Sequence, residues 1–368
     1  MDLEFTFSVA RLVIQTNFAP VISMLVLIAF IKTNINFTDK INRYFYYACA
    51  GSILLTASDN MRFITAHMTE PNIFRYISAG AGYTLRPLVL YLIAIIVGRN
   101  TSKKHSIYVI PLAICAFISM ISIFPIGKGI MFSFSPENKF IRGPLGFLSH
   151  AVCAIYAIQI IYYSIKNLNN NKYEPIVVII MGLSAVIAAL MENRYKFDFV
   201  LSQVFISAII YYYFFLMTQD YKKDPLTKFL NRRCFYLELN HQLKSPMVLL
   251  SMDLNNLKLF NDTMGHAAGD RALITAANFM NEIFAKHAKI YRTGGDEFMA
   301  VFTKNDFDQV EALVHDFQKA LSTTEYQVAC GIAQYNPGDD IEKVITLSDE
   351  RMYSHKVKLK DSESFKKI

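Results

Sequence analysis

Three acidic side chains in the C-terminal part of the sequence have types and positions that suit metal binding. Asp253 ends the apolar run SPMVLLSMD (245–253), and Asp296 and Glu297 lie side by side in RTGGDEFMAVF (292–302). If both runs form neighbouring strands, the carboxylates converge at one sheet edge, where a divalent cation would relieve their repulsion. Mg²⁺ (or Mn²⁺) favours such oxygen ligands together with nucleotide phosphates, and two ions can activate a hydroxyl and clamp an α-phosphate. The alternative is that these acids are ordinary turn residues.

The elements that must position these acids follow from the pattern after Asp220. Apolar alternation and helical spacing predict two strands (245–253 and 327–335), a hairpin (289–302) and three helices (268–287, 306–321 and 341–358). In the hairpin, the two glycines of GGDE are expected to supply the positive φ angles of a tight turn. The alternation of these elements predicts an α+β sandwich, with a central, mainly antiparallel sheet and helices on one face.

The first 220 residues have a different composition, which predicts an all-α transmembrane helix bundle. Seven apolar runs are each close to the ~20 residues that a helix needs to cross a bilayer. They lie near 12–31, 44–66, 77–97, 107–127, 144–165, 175–191 and 198–217. The alternative is a set of buried helices in a large soluble protein. The predicted environment of this part is membrane lipid.

Ionisable residues inside the predicted spans are costly to bury and therefore candidates for function. Asp59 and Arg62 lie one helical turn apart in SDNMRF, and Arg86 precedes Pro87 in the third run. They could form an intramembrane polar cluster that senses an unknown stimulus. Alternatively, Asp59 and Arg62 form a structural pair, and Arg86 extends to the membrane interface.

The charge distribution argues against nucleic-acid binding. The formal net charge is +7, and all of the excess lies in the apolar first 220 residues. The remainder is balanced, whereas a nucleic-acid-binding domain would be expected to carry a basic surface.

Four stretches of the C-terminal part resemble, in order and spacing, the GGDEF family of diguanylate cyclases. These are DPLTKFLNRR (224–233), DLNNLK (253–258), NDTMGHAAGD (261–270) and RTGGDEF (292–298). The resemblance covers 222–368 and implies a nucleotide-cyclase-like GGDEF domain there, after a transmembrane sensory domain at 1–221. It implies that two GTP molecules condense to cyclic di-GMP with release of two pyrophosphates.

The resemblance also implies roles for particular residues. Asp253, Asp296 and the carbonyl of Leu254 would hold two Mg²⁺ (or Mn²⁺) ions per site, with Glu297 supporting the second. Asp296 would also help to deprotonate the attacking 3′-hydroxyl, and Lys258 would stabilise phosphate charge.

Further positions would bind the substrate. The resemblance implies that Asn261 and Asp270 read guanine, that His266 lies in the same pocket, and that Lys356 and Lys360 of SDERMYSHKVKLK (348–360) contact the triphosphate. A carboxylate such as Asp270 suits the N1–H and N2–H₂ donors of guanine and rejects adenine. Alternatively, the two lysines lie on a solvated helix face, and His266 only starts a helix.

The sequence departs from the family pattern at three places. Asn255 and Leu257 replace an acid and an aromatic residue in DLNNLK, and Lys360 stands where arginine is usual. Lysine keeps the charge but loses bidentate phosphate geometry. The inhibitory RxxD motif is absent, because Ala285 and Ala288 occupy its positions, so we expect no high-affinity product inhibition there.

The predicted reaction constrains assembly and location. Since one site holds one GTP, two domains must face each other across a two-fold axis, which predicts a homodimer. GTP is cytoplasmic, so we expect a multi-pass protein of the bacterial cytoplasmic (inner) membrane, with the N-terminus outside and the C-terminal domain inside. The short junction 218–227 would transmit a signal from the spans. The alternatives are a catalytically silent GTP-binding receptor that signals through protein contacts, and a transporter with a regulatory domain.

Overall fold

The computed structural model divides the chain into two compact units, Met1–Met217 and Thr218–Ile368. The described residues are 3–33, 37–100, 108–167, 173–195 and 197–366. Each unit is built around its own apolar core.

The N-terminal unit is a helical bundle. Its described helices are α1 (Leu3–Thr33), α2 (Asp39–Ala66), α3 (Ile73–Val97), α4 (Val109–Ile121), α5 (Leu148–Lys166), α6 (Glu174–Tyr195) and α7 (Val200–Asp220). The prediction of an N-terminal helical bundle with apolar helices is confirmed, although one short β-hairpin interrupts it. Large apolar side chains face outward, with exposed fractions of 68% for Ile158 and 62% for Ile180. Apolar surface of this extent indicates an apolar environment.

Within the described residues, fewer helices qualify as membrane crossings than the seven apolar runs predicted. Among the described residues, five helices are long and apolar enough to cross a membrane: α1, α3, α5, α6 and α7. The predicted span at 107–127 does not form one helix. Its helix α4 has 13 residues, which is about 20 Å against a hydrocarbon core of about 30 Å. It ends before Pro125, and a short hairpin of β1 (Phe132–Phe134) and β2 (Phe140–Arg142) follows. Seven spans therefore stay a prediction.

The C-terminal unit contains a five-stranded sheet, one strand more than the sequence predicted. Its strands are β3 (Leu230–Asn231), β4 (Met247–Leu254), β5 (Ala288–Arg292), β6 (Glu297–Phe302) and β7 (Val328–Tyr335). They are ordered β3-β5-β6-β4-β7, and every pairing except that of β3 with β5 is antiparallel. The predicted, mainly antiparallel fold class is confirmed, and β4 lies in the interior of the sheet.

The expectation that helices cover one face of this sheet was wrong, because they cover both. All eight residues of β4 are buried, and alternate side chains enter two different cores. The helices α10 (His266–Phe284) and α11 (Phe307–Leu321) pack on one face. On the other face lie α8 (Arg232–Gln242), which the sequence did not reveal, and α12 (Ile341–Lys366). A strand buried on both sides lacks alternation between polar and apolar residues, so its sequence cannot show a second helical layer.

Candidate active site

The strands β4 and β6 are neighbours, and their register brings the three acids to one edge of the sheet. Asp253 lies directly opposite Glu297. The N–H of Leu254 donates to the carbonyl of Asp296 over 3.0 Å. Residues that face each other in an antiparallel pair project to the same face. The sheet thus places the acidic residues of the hairpin next to the acid that ends β4.

The turn between β5 and β6 is held by Arg292, whose importance the sequence did not indicate. Its guanidinium Nη2 donates to the carbonyl of Gly295 over 2.6 Å, and its Nη1 lies 3.0 Å from Oδ1 of Asp224. Asp224 also accepts hydrogen bonds from the N–H and the hydroxyl of Thr227. Burial opposes ionisation of Asp224, but these hydrogen bonds and Arg292 outweigh it and lower its pKa. Asp224 and Arg292 each belong to one of the four stretches that resemble the family. The opposite charges of these two residues were the signal from which their pairing could have been predicted.

The prediction that the turn glycines Gly294 and Gly295 adopt positive φ angles was wrong. Positive φ occurs among the described glycines only at Gly129, Gly265 and Gly338. Gly294 is needed for space instead, since a Cβ there would lie 2.5 Å from Oε2 of Glu297. At Gly295 a Cβ would meet no atom within 4 Å. The glycine at 294 therefore lets the Glu297 side chain fold back over the turn.

Asp253 is buried beneath α12. Its Oδ1 lies 2.6 Å from Nζ of Lys356, an ion pair with few exposed atoms on either partner. Burial raises the pKa of Asp253; Lys356 acts in the opposite direction, and the nearby charge of Asp296 adds to the rise. The helix is tied to β4 by the Ser251 hydroxyl, which donates to Asp349 over 2.6 Å. Lys356 is thus directed at an acid of the site, whereas Lys360, one turn later, is exposed.

A second part of the site forms where α9 (Leu257–Met264) meets α10. The two helices are joined at Gly265, whose φ of 81° suits glycine. Asn261 is half-buried, and a Cβ on Gly269 would lie 2.0 Å from its Oδ1. Gly269 therefore lets Asn261 rest against the start of α10, beside Asp270.

Three predicted site residues, the catalytic Lys258 and the substrate-binding His266 and Asp270, are exposed on these helices. Lys258 lies in the first turn of α9, and His266 and Asp270 lie one turn apart at the start of α10. Their side chains are accessible to a ligand. The sequence analysis did not identify Gly269 as a site residue. Its position between the predicted residues His266 and Asp270 could have indicated this role.

The oxygen donors at this edge suit a hard divalent cation but do not form a complete cage. Among the described residues, no group of three or more His, Cys, Asp or Glu side chains is close enough to hold a metal ion. Asp253 and Asp296 nevertheless interact electrostatically. Mg²⁺ characteristically uses one or two carboxylates and takes its other ligands from water and substrate phosphates. The residues present therefore fit an ion that arrives with a nucleotide.

Asn255, which replaces an acid of the family pattern, is buried at the start of the turn from β4 to α9. Its N–H donates to the carbonyl of Gln327 over 2.8 Å. Its side-chain oxygen and nitrogen have no hydrogen-bond partner among the described residues. The following residue, Asn256, has a φ of 59°, a left-handed conformation that asparagine tolerates.

The predicted polar cluster of the N-terminal unit is brought together by the fold. Oδ1 of the buried Asp59 lies 3.2 Å from Arg62 and 3.0 Å from Arg86. Arg86 also approaches Glu192 at 3.8 Å, an acid of α6 that the sequence analysis missed. Arg86 thus pairs inside the bundle. The other carboxylate oxygen of Asp59 has no hydrogen-bond partner among the described residues.

A second buried cluster in this unit was not anticipated. Nη1 of Arg99 lies 2.9 Å from Oε1 of Glu174 and 3.1 Å from the hydroxyl of Tyr212. Tyr212 also donates to the same Glu174 oxygen. The cluster connects α7 to α6 and to the turn after α3. The signal in the sequence was Glu174, an acidic residue at the start of the apolar run that forms α6.

Comparison with known proteins identifies the C-terminal unit. Residues 221–362 match the family model described as diguanylate cyclase, GGDEF domain. The chain is 30% identical over 165 residues to the Escherichia coli diguanylate cyclase DgcZ, covering 41% of this chain and 56% of that protein. It is 34% identical over 148 residues to E. coli DgcN, covering 36% of each. The chain therefore spans about a third to about half of the length of these relatives.

Solved structures similar to this chain are also GGDEF domains. The domain of DgcB from Caulobacter crescentus in complex with c-di-GMP is 25% identical, with a TM-score of 0.35, covering 37% of this chain and 87% of that one. A microbial GGDEF domain studied with bis-(3′,5′)-cyclic di-GMP is 29% identical, with a TM-score of 0.34, covering 37% and 90%. The recognition of a GGDEF domain from its motifs is confirmed by the family match.

Proposed function

We propose that the GGDEF domain at residues 221–362 is an active diguanylate cyclase, anchored to a membrane by the helices that precede it. The proposal rests mainly on one observation: Asp253 faces Glu297 across β4 and β6, with Asp296 hydrogen-bonded beside them. In the reaction, the 3′-oxygen of each GTP bonds to the α-phosphorus of the other. Two pyrophosphates leave, and two hydroxyl protons are released.

Asp253, Asp296 and the carbonyl of Leu254 would hold two Mg²⁺ (or Mn²⁺) ions, with Glu297 supporting the second. Bound there, the ions would supply positive charge at the α-phosphate and make the 3′-hydroxyl more acidic. Asp296 accepts the hydroxyl proton in this scheme. The ammonium groups of Lys258, Lys356 and Lys360 neutralise charge on the triphosphate, as phosphoryl transfer requires.

Asn261 and Asp270 would select guanine. The close approach of Asn261 to Gly269, the residue before Asp270, supports this role. A carboxylate and an amide match the donor and acceptor edge of guanine, and adenine would leave these groups unpaired. The exposed imidazole of His266, one helical turn from Asp270, would line the same pocket.

The chemistry requires two domains, so the active form in this proposal is a homodimer with a two-fold axis between two GTP-loaded sites. In the part of the chain that the structure describes, five helices are apolar and long enough to cross a membrane, and they support anchoring. The C-terminal domain would face the cytoplasm of a bacterium, where GTP is present, with the N-terminus outside. The membrane unit would regulate the dimer through 218–227, and the cluster of Asp59, Arg62 and Arg86 is the proposed sensing site.

The test is incubation of the purified full-length chain with GTP and Mg²⁺, followed by nucleotide analysis. We expect cyclic di-GMP, and its loss in Asp296→Asn. The matched control is Asp262→Asn, an exposed acid of α9 outside the proposed site. Binding of GTP without product at any protein concentration would support the silent receptor instead.

A further inference from the structure

A cavity in the C-terminal unit lies outside the proposed active site and is lined by lysines from three places in the chain. Its volume is about 190 Å³, and Lys223, Lys228 and Lys289 lie on its wall. Within the described part of the chain, no acidic residue lines it. A concave surface with three ammonium groups is suited to an anion.

The same wall contains Ala285 and Ala288, the positions where the sequence analysis noted that an arginine and an aspartate are missing. The cavity therefore lacks the planar guanidinium that could stack on a base or form paired hydrogen bonds. Lysine offers a compact charge with three rotatable donors, which suits a phosphate group without selecting a nucleobase.

The backbone at Lys228 is held in an unusual conformation. Its φ is 64°, in the left-handed region that a long side chain seldom adopts. The conformation is fixed by a hydrogen bond from the N–H of Lys228 to the carbonyl of Asp224 over 3.0 Å. Strain of this kind persists where the surrounding structure imposes it and is enriched at binding sites.

Nearby acids are already paired and leave the cavity positive. Asp224 is bound by Arg292 and Thr227. Glu238 pairs with Lys289, whose side chain remains 56% exposed. Lys223 and Lys228 are exposed. None of the described residues that line the cavity is acidic, so the three lysines give its wall a surplus of positive charge that is accessible.

The position of Lys223 in the chain suggests which phosphate reaches this cavity. Lys223 follows the last residue of α7, Asp220, by three positions, which is at most about 11 Å of extended chain. The helix α7 is one of those long and apolar enough to cross a membrane. If α7 is anchored as proposed above, Lys223 must lie close to the lipid headgroups.

We propose that this cavity binds the phosphate headgroup of an anionic phospholipid in the membrane that anchors α7. The inference rests on the membrane anchoring in the proposed function. The anionic lipids of a cytoplasmic leaflet attract nearby lysines, and each lysine raises the equilibrium constant for membrane association roughly fivefold. Headgroup binding would hold the domain against the bilayer surface by the face that carries the three lysines.

The experiment uses the full-length chain in lipid nanodiscs made of phosphatidylcholine, with or without phosphatidylglycerol. Exposed amines are acetylated briefly, and modification of each lysine is measured by mass spectrometry. We expect Lys223, Lys228 and Lys289 to be labelled at least about threefold less in the anionic discs, given roughly fivefold attraction per lysine. The internal controls are Lys304 and Lys319, exposed lysines elsewhere on the domain, which should not change.

Two further arms identify the source of the phosphate. Millimolar inorganic phosphate in phosphatidylcholine discs should not reproduce the protection; if it does so fully, the ligand is a free phosphate and the lipid proposal is overturned. In Lys228→Gln/Lys289→Gln, the protection of Lys223 should fall by at least half, whereas Lys304→Gln/Lys319→Gln should retain it. Equal labelling in both kinds of disc would also overturn the proposal.

The outcome can be separated from that of the proposed function. Synthesis of cyclic di-GMP is measured in the same discs, and its absence would contradict the proposed activity without affecting the labelling result. Failure of the chain to enter discs would overturn both the membrane anchoring and the lipid site.

Discussion

Lys356 on α12 lies 2.6 Å from Asp253 at the end of β4, although 103 positions separate them in the sequence. The ammonium group therefore contacts the carboxylate that is proposed to bind a metal ion. Because both are cations, Lys356 and the ion compete for Asp253. When a nucleotide binds, its phosphates offer Lys356 another anionic partner.

Replacing Lys356 by methionine should change metal and nucleotide binding in opposite directions. We expect Mn²⁺ to bind more tightly without nucleotide, by on the order of tenfold, since a charged hydrogen bond is worth about 1.5–3 kcal/mol. GTP should bind more weakly. The measurement is calorimetric titration of each ligand, with the exposed Lys358→Met as control. A variant that weakens both ligands equally would contradict the competition.

The raised pKa of Asp253 predicts a pH-dependent stability of the metal-free C-terminal unit. Burial raises this pKa above the unfolded value, so Asp253 stabilises the fold below the ordinary aspartate pKa of about 4. This contribution is lost as the pH rises through the folded value. Relative to the wild type, the melting temperature of Asp253→Asn should therefore rise as the pH increases above about 4. The measurement is thermal unfolding of residues 218–368 in EDTA, with Asp262→Asn as control; a constant difference would argue against it.

Loss of Arg292 should loosen the hairpin that carries Asp296 and Glu297. Arg292→Gln removes the pair with Asp224 and the bonds to the Gly295 carbonyl. We expect about 1–3 kcal/mol less unfolding free energy at neutral pH. Because the pKa of Asp224 is lowered, its stabilising contribution is present above the unfolded value and is lost as the pH falls through the folded one.

The penalty of Arg292→Gln should consequently shrink below about pH 4. Denaturant unfolding at several pH values provides the measurement. Asp224→Asn and the double variant complete a cycle that isolates the pair. A penalty that is the same at every pH, with additive single variants, would mean that the pair contributes nothing.

The two turn glycines should respond differently to alanine. In Gly294→Ala the new Cβ would meet Oε2 of Glu297 at 2.5 Å, so the Glu297 carboxylate must leave its present position. In Gly295→Ala the Cβ would enter open space, and no positive φ forbids it. We expect Mn²⁺ affinity and cyclase turnover to drop at least about tenfold in the first variant, as on losing a charged contact, and to stay within about twofold in the second. Similar losses in both would show that the turn requires glycine for another reason.

Several features of the domain could be predicted from short stretches of sequence. The apolar runs of β4 and β6 predicted strands, and the acids at their ends indicated a candidate metal edge, because strand periodicity is a local property. The helix α8 was missed because only Phe235 and Leu239 of its RRCFYLELNHQ sequence are buried, one turn apart. Two residues give too weak a periodic pattern to distinguish a helix from a loop.

By itself, the sequence determined which residues have the chemistry for metal, phosphate and guanine binding, and which segments are apolar enough for lipid. Only the tertiary structure decided their partners: Asp253 with Lys356, Arg292 with Asp224, and Arg86 with both Asp59 and Glu192. The physical reason is that side-chain types and periodicities are fixed within a few residues, whereas each of these contacts depends on how the chain folds back over tens of residues. The lysine-lined cavity also depends on the tertiary structure. Lys289 lies near Lys223 and Lys228 only because β5 pairs with β3 in the sheet.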